Sequence, residues 1–189
     1  MKNEIVKFGV ILFIITAVAG GLLGFVNDMT EPVIAQHKIE ADNEAQESVL
    51  NEADKFEKIN DEFTSENNPD VKVAQVSKAL SGDETVGYII KTLPKGYGGE
   101  IEVTVGIKAD GTIEAVKLGA MNETPGLGAK AVNPEFIDQY KDKKADTLKV
   151  IKSGTPQDDE ILAISGATRT SNGVTKGVNT ALEIFKKLK

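Results

Sequence analysis

The sequence contains no cysteine and only one histidine, His37. Without cysteine, the chain can form neither a disulfide nor a cysteine-ligated iron–sulfur cluster. With one histidine, it also lacks the Ser-His and Cys-His pairs of nucleophilic enzymes and the histidine-rich sites that bind zinc. Any redox chemistry in this chain must therefore come from an organic cofactor.

The chain also lacks an excess of basic residues. Its formal net charge is −7, whereas a nucleic-acid-binding surface is basic, so the composition argues against a nucleic-acid partner. The 189 residues suffice for one domain with a modest core, together with additional segments.

An uncharged apolar run covers residues 8–26, which is about the length that a helix needs to cross the hydrocarbon core of a membrane. Lys2 and Lys7 precede the run, and Asp28 and Glu31 follow it. The positive-inside rule therefore predicts a single-pass protein of the cell membrane, with a cytoplasmic N-terminus and the remaining chain on the extracytoplasmic side. A cleaved signal peptide is the alternative, but its apolar core is normally shorter.

The pattern divides the chain into a cytoplasmic N-terminus (1–7), a transmembrane helix (8–26), a helical stalk (27–65) and a folded domain (66–189). Proline in the sequence Thr30-Glu31-Pro32 is typical of a first helical turn. Five apolar residues then recur every three or four positions, which predicts an amphipathic helix that packs on the domain. These residues are Val49, Ala53, Phe56, Ile59 and Phe63.

The domain is predicted to be α+β, an antiparallel sheet flanked by helices. Four short runs rich in β-branched residues predict strands near 71–76, 86–92, 101–107 and 113–118. Asp110-Gly111 between the last two runs is a strong hairpin signal. Further patterns predict a short helix at 134–140, a strand at 148–151 and a helix that runs to the chain end.

The stretch Ser165 to Thr170 joins a hydrophobic run to that last helix, which predicts strand, tight turn and helix with the Thr168 hydroxyl just before the helix N-terminus. Unpaired N–H groups and a partial positive charge at that position can stabilise a phosphate. Arg169 can add a charge-assisted contact. Alternatively, Thr168, Thr170 and Ser171 only cap the helix.

Two other segments have a composition that lets backbone approach a ligand closely. The loop Asn122–Lys130 contains a proline and two glycines, and the residues Gly96-Tyr97-Gly98-Gly99 permit a second turn. The Tyr97 ring can stack near a flat cofactor, although turn chemistry alone explains the glycines.

Together these motifs resemble a known family. Ser-Gly-Ala-Thr followed by Thr170 resembles the flavinylation motif of the FMN-binding domains in the Rnf complex G subunit and its relative NqrC. The E-T-P-G-L-G sequence from Glu123 to Gly128 and the G-Y-G-G sequence at 96–99 resemble further hallmarks of this family. The resemblance covers essentially the whole chain, including the N-terminal anchor.

The resemblance implies FMN bound covalently through its phosphate to the Thr168 hydroxyl, a phosphoester made by a separate flavin transferase of the ApbE type. It also implies a flavin pocket lined by the loop Asn122–Lys130. By its charge Lys130 can favour the reduced, anionic flavin, and the alternative for Lys130 is an ordinary surface lysine. The cofactor-binding residues predicted in this way are Ser165, Gly166, Ala167, Thr168, Arg169 and Thr170, together with Glu123, Thr124, Gly126, Leu127, Gly128 and Lys130. One departure is Leu162, because the motif often has Asp three residues before the serine.

By resemblance, the chain is an electron-carrying subunit of a membrane complex that passes electrons between ferredoxin and NAD and couples this reaction to Na⁺ or H⁺ transport. Its expected partners are the integral membrane subunits of an Rnf-type complex, so it belongs to an enzyme only as part of that assembly. Two alternatives stay open. One is a stand-alone extracytoplasmic flavoprotein of another electron-transfer chain, and the other is a cofactor-free anchored binding or assembly module.

Overall fold

The computed structural model describes residues 2–189, except for the side chains of Lys2, Asn3, Ala35 and Lys38. It contains two compact units, the first ending at Asp42 and the second comprising Asn43–Lys189. The second unit therefore begins well before the predicted domain boundary at residue 66.

Helix α1 comprises Lys2–Val49 and includes the whole apolar run 8–26. Within residues 2–189, it is the one helix that is long and apolar enough to cross a membrane. The large apolar side chains of this run are exposed, for example those of Phe8, Phe13 and Leu23, as a lipid-facing segment requires. The helix therefore fits the predicted single-pass anchor.

The prediction that the stalk helix continues to Phe63 is wrong. Helix α1 ends at Val49, and strand β1 (Lys55–Ile59) follows. Phe56 and Ile59 are three residues apart, so they point to opposite faces of this strand and pack against different apolar clusters. A spacing of three fits one face of a helix equally well. Backbone pairing with β2 decides between the two, and this pairing is not visible in the local sequence.

The five-stranded sheet has the order β1-β2-β3-β4-β5, and all of its neighbouring strands are antiparallel. Strands β2 to β5 lie at Lys72–Ser81, Glu84–Leu93, Ile101–Lys108 and Ile113–Met121, which confirms the four predicted strands. The hairpin between β4 and β5 is also confirmed. Asp110 accepts hydrogen bonds from the Thr112 N–H and hydroxyl, and Gly111 has φ +94°, which suits glycine.

Helix α3 (Thr168–Leu188) packs across one face of the sheet over β3 and β4. Its buried apolar residues Val174, Val178 and Leu182 join the inward residues of the strands in the main core.

Helix α2 (Pro134–Ile137) continues into a 3₁₀ turn at Asp138–Tyr140. A separate parallel pair, β6 (Lys149–Ile151) and β7 (Glu160–Leu162), leads directly into the turn before α3. The predicted α+β class is therefore confirmed.

Candidate functional site

A cleft of about 370 Å³ forms where the turn at 96–99, the loop at 122–128 and the N-terminus of α3 meet. Its lining residues come from all three segments and are Tyr97, Glu123, Thr124, Leu127, Gly128, Gly166, Ala167, Arg169 and Thr170. A larger cleft, about 550 Å³, lies between residues 58–65 and 69–76, but none of the predicted site residues lines it.

Glu123 connects all three segments beneath the cleft. Its side chain is buried, with the residue only 8% exposed. One carboxylate oxygen, Oε1, accepts hydrogen bonds from the N–H groups of Tyr97 (2.8 Å) and Gly98 (3.0 Å). The other oxygen, Oε2, accepts one from the Thr170 hydroxyl at 2.6 Å. Both oxygens are therefore used within the protein.

The carboxyl group of Glu123 stays ionised in this setting. Burial raises its pKa, but the hydrogen bonds from Thr170, Gly98 and Tyr97 and the positive charge of Arg169 outweigh burial and lower the pKa below its ordinary value. Hydrogen bonds to the charged form and a nearby cation both favour that form. The site therefore contains a buried anion.

Several positions around the Glu123 carboxylate require glycine, because a side chain there would overlap neighbouring atoms. A Cβ on Gly96 or on Gly128 would overlap a Glu123 carboxylate oxygen, and a Cβ on Gly98 would overlap the Asn122 carbonyl oxygen. Gly166 has φ +75°, a conformation that side-chain-bearing residues rarely adopt. These residues therefore let three backbone segments converge on one cleft.

The N-terminus of α3 is not capped by a side chain. Thr168 is the first helical residue, not the residue before the helix as predicted, and the N-cap is Ala167. The proposed capping by hydroxyls is therefore wrong. Ser171 closes the turn instead, because its hydroxyl accepts from the Ile164 N–H (3.0 Å) and donates to the Ala167 carbonyl (3.1 Å). The first backbone N–H groups of the helix remain available to an anion.

The structure brings eight of the twelve predicted site residues into the cleft, and the other four lie outside its lining. Thr168 is half-buried between two lining residues, Ala167 and Arg169. Gly126 lies in the loop with φ +78°. Ser165 and Lys130 line a separate cleft of about 300 Å³ together with Glu135 and Gln139. As binding residues for a cofactor, all twelve stay predictions.

Sequence reasoning missed how the turn at 96–99 is attached to α3. Arg169 Nε donates to the Gly96 carbonyl at 3.1 Å, and Tyr97 lines the cleft with 69% of its surface exposed. Leu162 stands where the motif often has Asp. Its backbone is hydrogen-bonded to the Gln139 side chain, because its N–H donates to Gln139 Oε1 and its carbonyl accepts from Gln139 Nε2. The sequence signals for the turn were its three glycines and the resemblance of G-Y-G-G to the family, and neither indicates a contact with α3.

Known proteins that resemble this chain identify its family. A family model described as an FMN-binding domain matches residues 96–183, and one described as the RnfG N-terminal region matches residues 1–52. The G subunit of the proton-translocating ferredoxin:NAD(+) oxidoreductase complex of Clostridium ljungdahlii is 38% identical over 182 residues, which covers 96% of this chain and 92% of the relative. The chain belongs to the RnfG family.

A second RnfG relative comes from the Na(+)-translocating ferredoxin:NAD(+) oxidoreductase complex of Acetobacterium woodii. It is 38% identical over 193 residues, which covers 96% of this chain and 92% of the relative. Among solved structures, NqrC of Shewanella oneidensis has the same fold, with a TM-score of 0.54 at 24% identity over 61% of this chain and 60% of that one. The equivalent protein of the Na(+)-translocating NADH-quinone reductase from Parabacteroides distasonis gives 0.51 at 28% identity over 60% and 61%.

The residues of this RnfG-family chain fit FMN. All nine lining residues fall inside the FMN-binding domain match, and the cleft volume lies in the range of about 300–1,000 Å³ that is typical of ligand pockets. Leu127 and Tyr97 are two of the few large apolar side chains exposed in the described part of the second unit and can cover a ring. Arg169 and the first N–H groups of α3 suit a phosphate.

Proposed function

We propose that this RnfG-family protein carries FMN in a phosphoester to the Thr168 hydroxyl and relays electrons on the extracytoplasmic side of an ion-translocating ferredoxin:NAD(+) oxidoreductase complex. The observation that carries the proposal is the position of Thr168. It is the first residue of α3, at a helix N-terminus with no side-chain cap, and both of its neighbours line the cleft.

Two neighbouring hydroxyls, those of Thr170 and Ser171, are already engaged in hydrogen bonds, and Ser165 lines a separate cleft. Thr170 is 1% exposed and donates to Glu123, and Ser171 is fully buried and closes the turn between β7 and α3. Attachment to either would break these hydrogen bonds and leave buried polar groups unpaired, which is unfavourable. Among the hydroxyls in the first turn of α3, Thr168 is the one whose modification leaves this network intact.

Attachment forms a bond between Thr168 Oγ1 and the phosphorus of an FMN group. The hydroxyl proton is lost, and the leaving group departs from an activated donor such as FAD, which would release AMP. A flavin transferase of the ApbE type would supply this reaction. The helix N-terminus and the Arg169 guanidinium would stabilise the negative charge of the phosphodiester.

When bound, FMN would supply reversible electron transfer. The protein contributes retention and placement: a tethered cofactor cannot dissociate, and a relay needs its carrier at a fixed position. Leu127 and Tyr97 would exclude water from the ring, while the buried Glu123 carboxylate and Arg169 set the local charge.

The topology follows from the distribution of charge around the anchor. Lys2 and Lys7 precede the apolar run, which supports a cytoplasmic N-terminus and an extracytoplasmic domain. Such a domain would not meet cytoplasmic ferredoxin or NAD, so electrons would reach it through other integral membrane subunits of the complex. The 92% coverage of the two RnfG relatives favours this role over a stand-alone flavoprotein or a cofactor-free module.

Coexpression with an ApbE-type transferase tests the attachment. The wild-type chain should give a fluorescent band on a denaturing gel, and Thr168→Ala should give none while remaining folded. Thr155→Ala is a matched control, because Thr155 is an exposed threonine outside the cleft and its loss should leave the fluorescence unchanged. Undiminished fluorescence in the Thr168→Ala protein would refute the assignment.

A further inference from the structure

We propose that Glu123 is a positioning residue for flavin attachment, fixing the first turn of α3, and with it Thr168, against the Tyr97–Gly98 wall of the cleft. This inference rests on the proposed attachment at Thr168. In this role Glu123 acts through its hydrogen bonds to the turn and to α3, and not by direct contact with the flavin.

The two carboxylate oxygens of Glu123 hold two different segments of the chain. Oε1 holds the turn at 96–99 through two backbone N–H groups, and Oε2 holds α3 through the Thr170 hydroxyl. Thr170 lies two residues after Thr168 in the same helical turn. A constraint on Thr170 therefore also restricts the position of the Thr168 backbone.

Neighbouring contacts also hold the turn at 96–99 against α3. Arg169 Nε donates to the Gly96 carbonyl. A Cβ on Gly173 would lie only 2.7 Å from the Lys95 carbonyl oxygen, so the turn and the helix approach closely at that point too. Among the side chains that make these contacts, Glu123 is a buried carboxylate. It joins the loop at 122–128 to both the turn at 96–99 and α3.

The hydrogen bonds and the ionised state of Glu123 disfavour a role as a general base. Its oxygens already accept three hydrogen bonds, and its low pKa keeps the group ionised, so it is poorly suited to take a proton from Thr168. A negative charge at the first turn of α3 is also favourable for the helix itself. These observations therefore favour a role for Glu123 in positioning Thr168 over a role as its base.

The test measures the initial rate of covalent FMN incorporation into the full chain in detergent, with purified transferase and FAD. Glu123→Ala should slow incorporation about tenfold or more, since small displacements of a reacting group have effects of this size. Glu123→Gln keeps the shape and can still accept from Tyr97 and Gly98, so it should recover most of the rate. Thr170→Val, which removes the partner of Oε2, should also slow incorporation.

Glu183→Gln is the matched control for a loss of stability alone. Glu183, on α3, is another carboxylate that accepts several hydrogen bonds from a loop, but it lies thirteen residues after Thr170, roughly 20 Å along the helix. This variant should lose stability yet incorporate FMN at the wild-type rate. Thermal unfolding of each variant supplies the comparison.

The outcomes separate the two proposals. Wild-type rates in both Glu123→Ala and Thr170→Val would overturn the positioning role and leave attachment at Thr168 intact. Equal slowing in Glu183→Gln at equal stability would also overturn it, because a general loss of stability would then explain the effect. No incorporation into the wild-type chain would refute the attachment itself, and the positioning role with it.

Discussion

Glu183→Gln offers a quantitative test of how α3 is held at its C-terminal half. The Glu183 side chain is 13% exposed and ties the loop at 65–67 to the helix. It accepts hydrogen bonds from the Ser65 hydroxyl (2.7 Å), the Glu66 N–H (2.7 Å) and the Asn67 side-chain amide (3.0 Å). Burial raises its pKa, but these bonds outweigh burial and lower the pKa from 4.5 to about 2.

The direction of the pH effect follows from this pKa. Between about pH 4.5 and pH 2 the unfolded chain binds a proton at Glu183 that the folded chain does not, so the free energy of unfolding rises with pH. The contribution is complete above pH 4.5 and is lost as the pH falls toward 2. A shift of this size corresponds to at most about 3 kcal/mol. We expect Glu183→Gln to lower stability at pH 7 by about 1–3 kcal/mol.

The assay is urea unfolding of the full chain in detergent at a series of pH values, followed by the near-ultraviolet circular dichroism of its tyrosines. The wild type and the variant should differ most at pH 7 and converge near pH 2. A difference that stays constant from pH 7 to pH 2 would refute the reasoning, because the ionised carboxylate would then not be the source of the stability.

Three further predictions address the site, the core and the topology. Gly128→Ala places a Cβ against the Glu123 carboxylate and should lower stability by about 1–3 kcal/mol and reduce covalent flavin content; unchanged thermal unfolding and flavin fluorescence would contradict this. Tyr140→Phe removes a buried hydroxyl hydrogen-bonded at 2.7 Å and should lower the free energy of unfolding by about 1 kcal/mol, as measured in urea. Because the chain has no cysteine, Lys152→Cys should react with a membrane-impermeant maleimide in intact cells and Lys7→Cys should not; the reverse pattern would contradict the proposed orientation.

The sequence predicted the sheet and the last helix well because their signals are local. A run rich in β-branched residues marks β4, Asp110-Gly111 marks the hairpin, and apolar spacing marks α3. Strand β1 was missed because Phe56 and Ile59 are spaced three apart, which fits a helix as well as the two faces of a strand. Only pairing with β2 distinguishes these possibilities, and that pairing depends on residues about twenty positions away.

The site was predicted in outline but not in its internal connections. Turn chemistry and the motif resemblance identified the residues on the loop at 122–128 and on the α3 N-terminus. They could not indicate that Glu123 points toward the turn at 96–99, because that contact joins residues about 25 positions apart. Nor could they separate Ser165 and Lys130 into a neighbouring cleft, since that depends on the direction in which the backbone turns at Gly166.

The most direct test of the central claim uses the spacing of basic residues around Thr168. Trypsin cleaves after Lys152 and Arg169, so Thr168 lies in the peptide 153–169 while Thr170 and Ser171 fall in the next one. In protein from native membranes, the peptide 153–169 should be heavier by the mass of FMN less water, with fragmentation placing the addition on Thr168. An unmodified peptide 153–169, or an addition on the following peptide, would contradict the account.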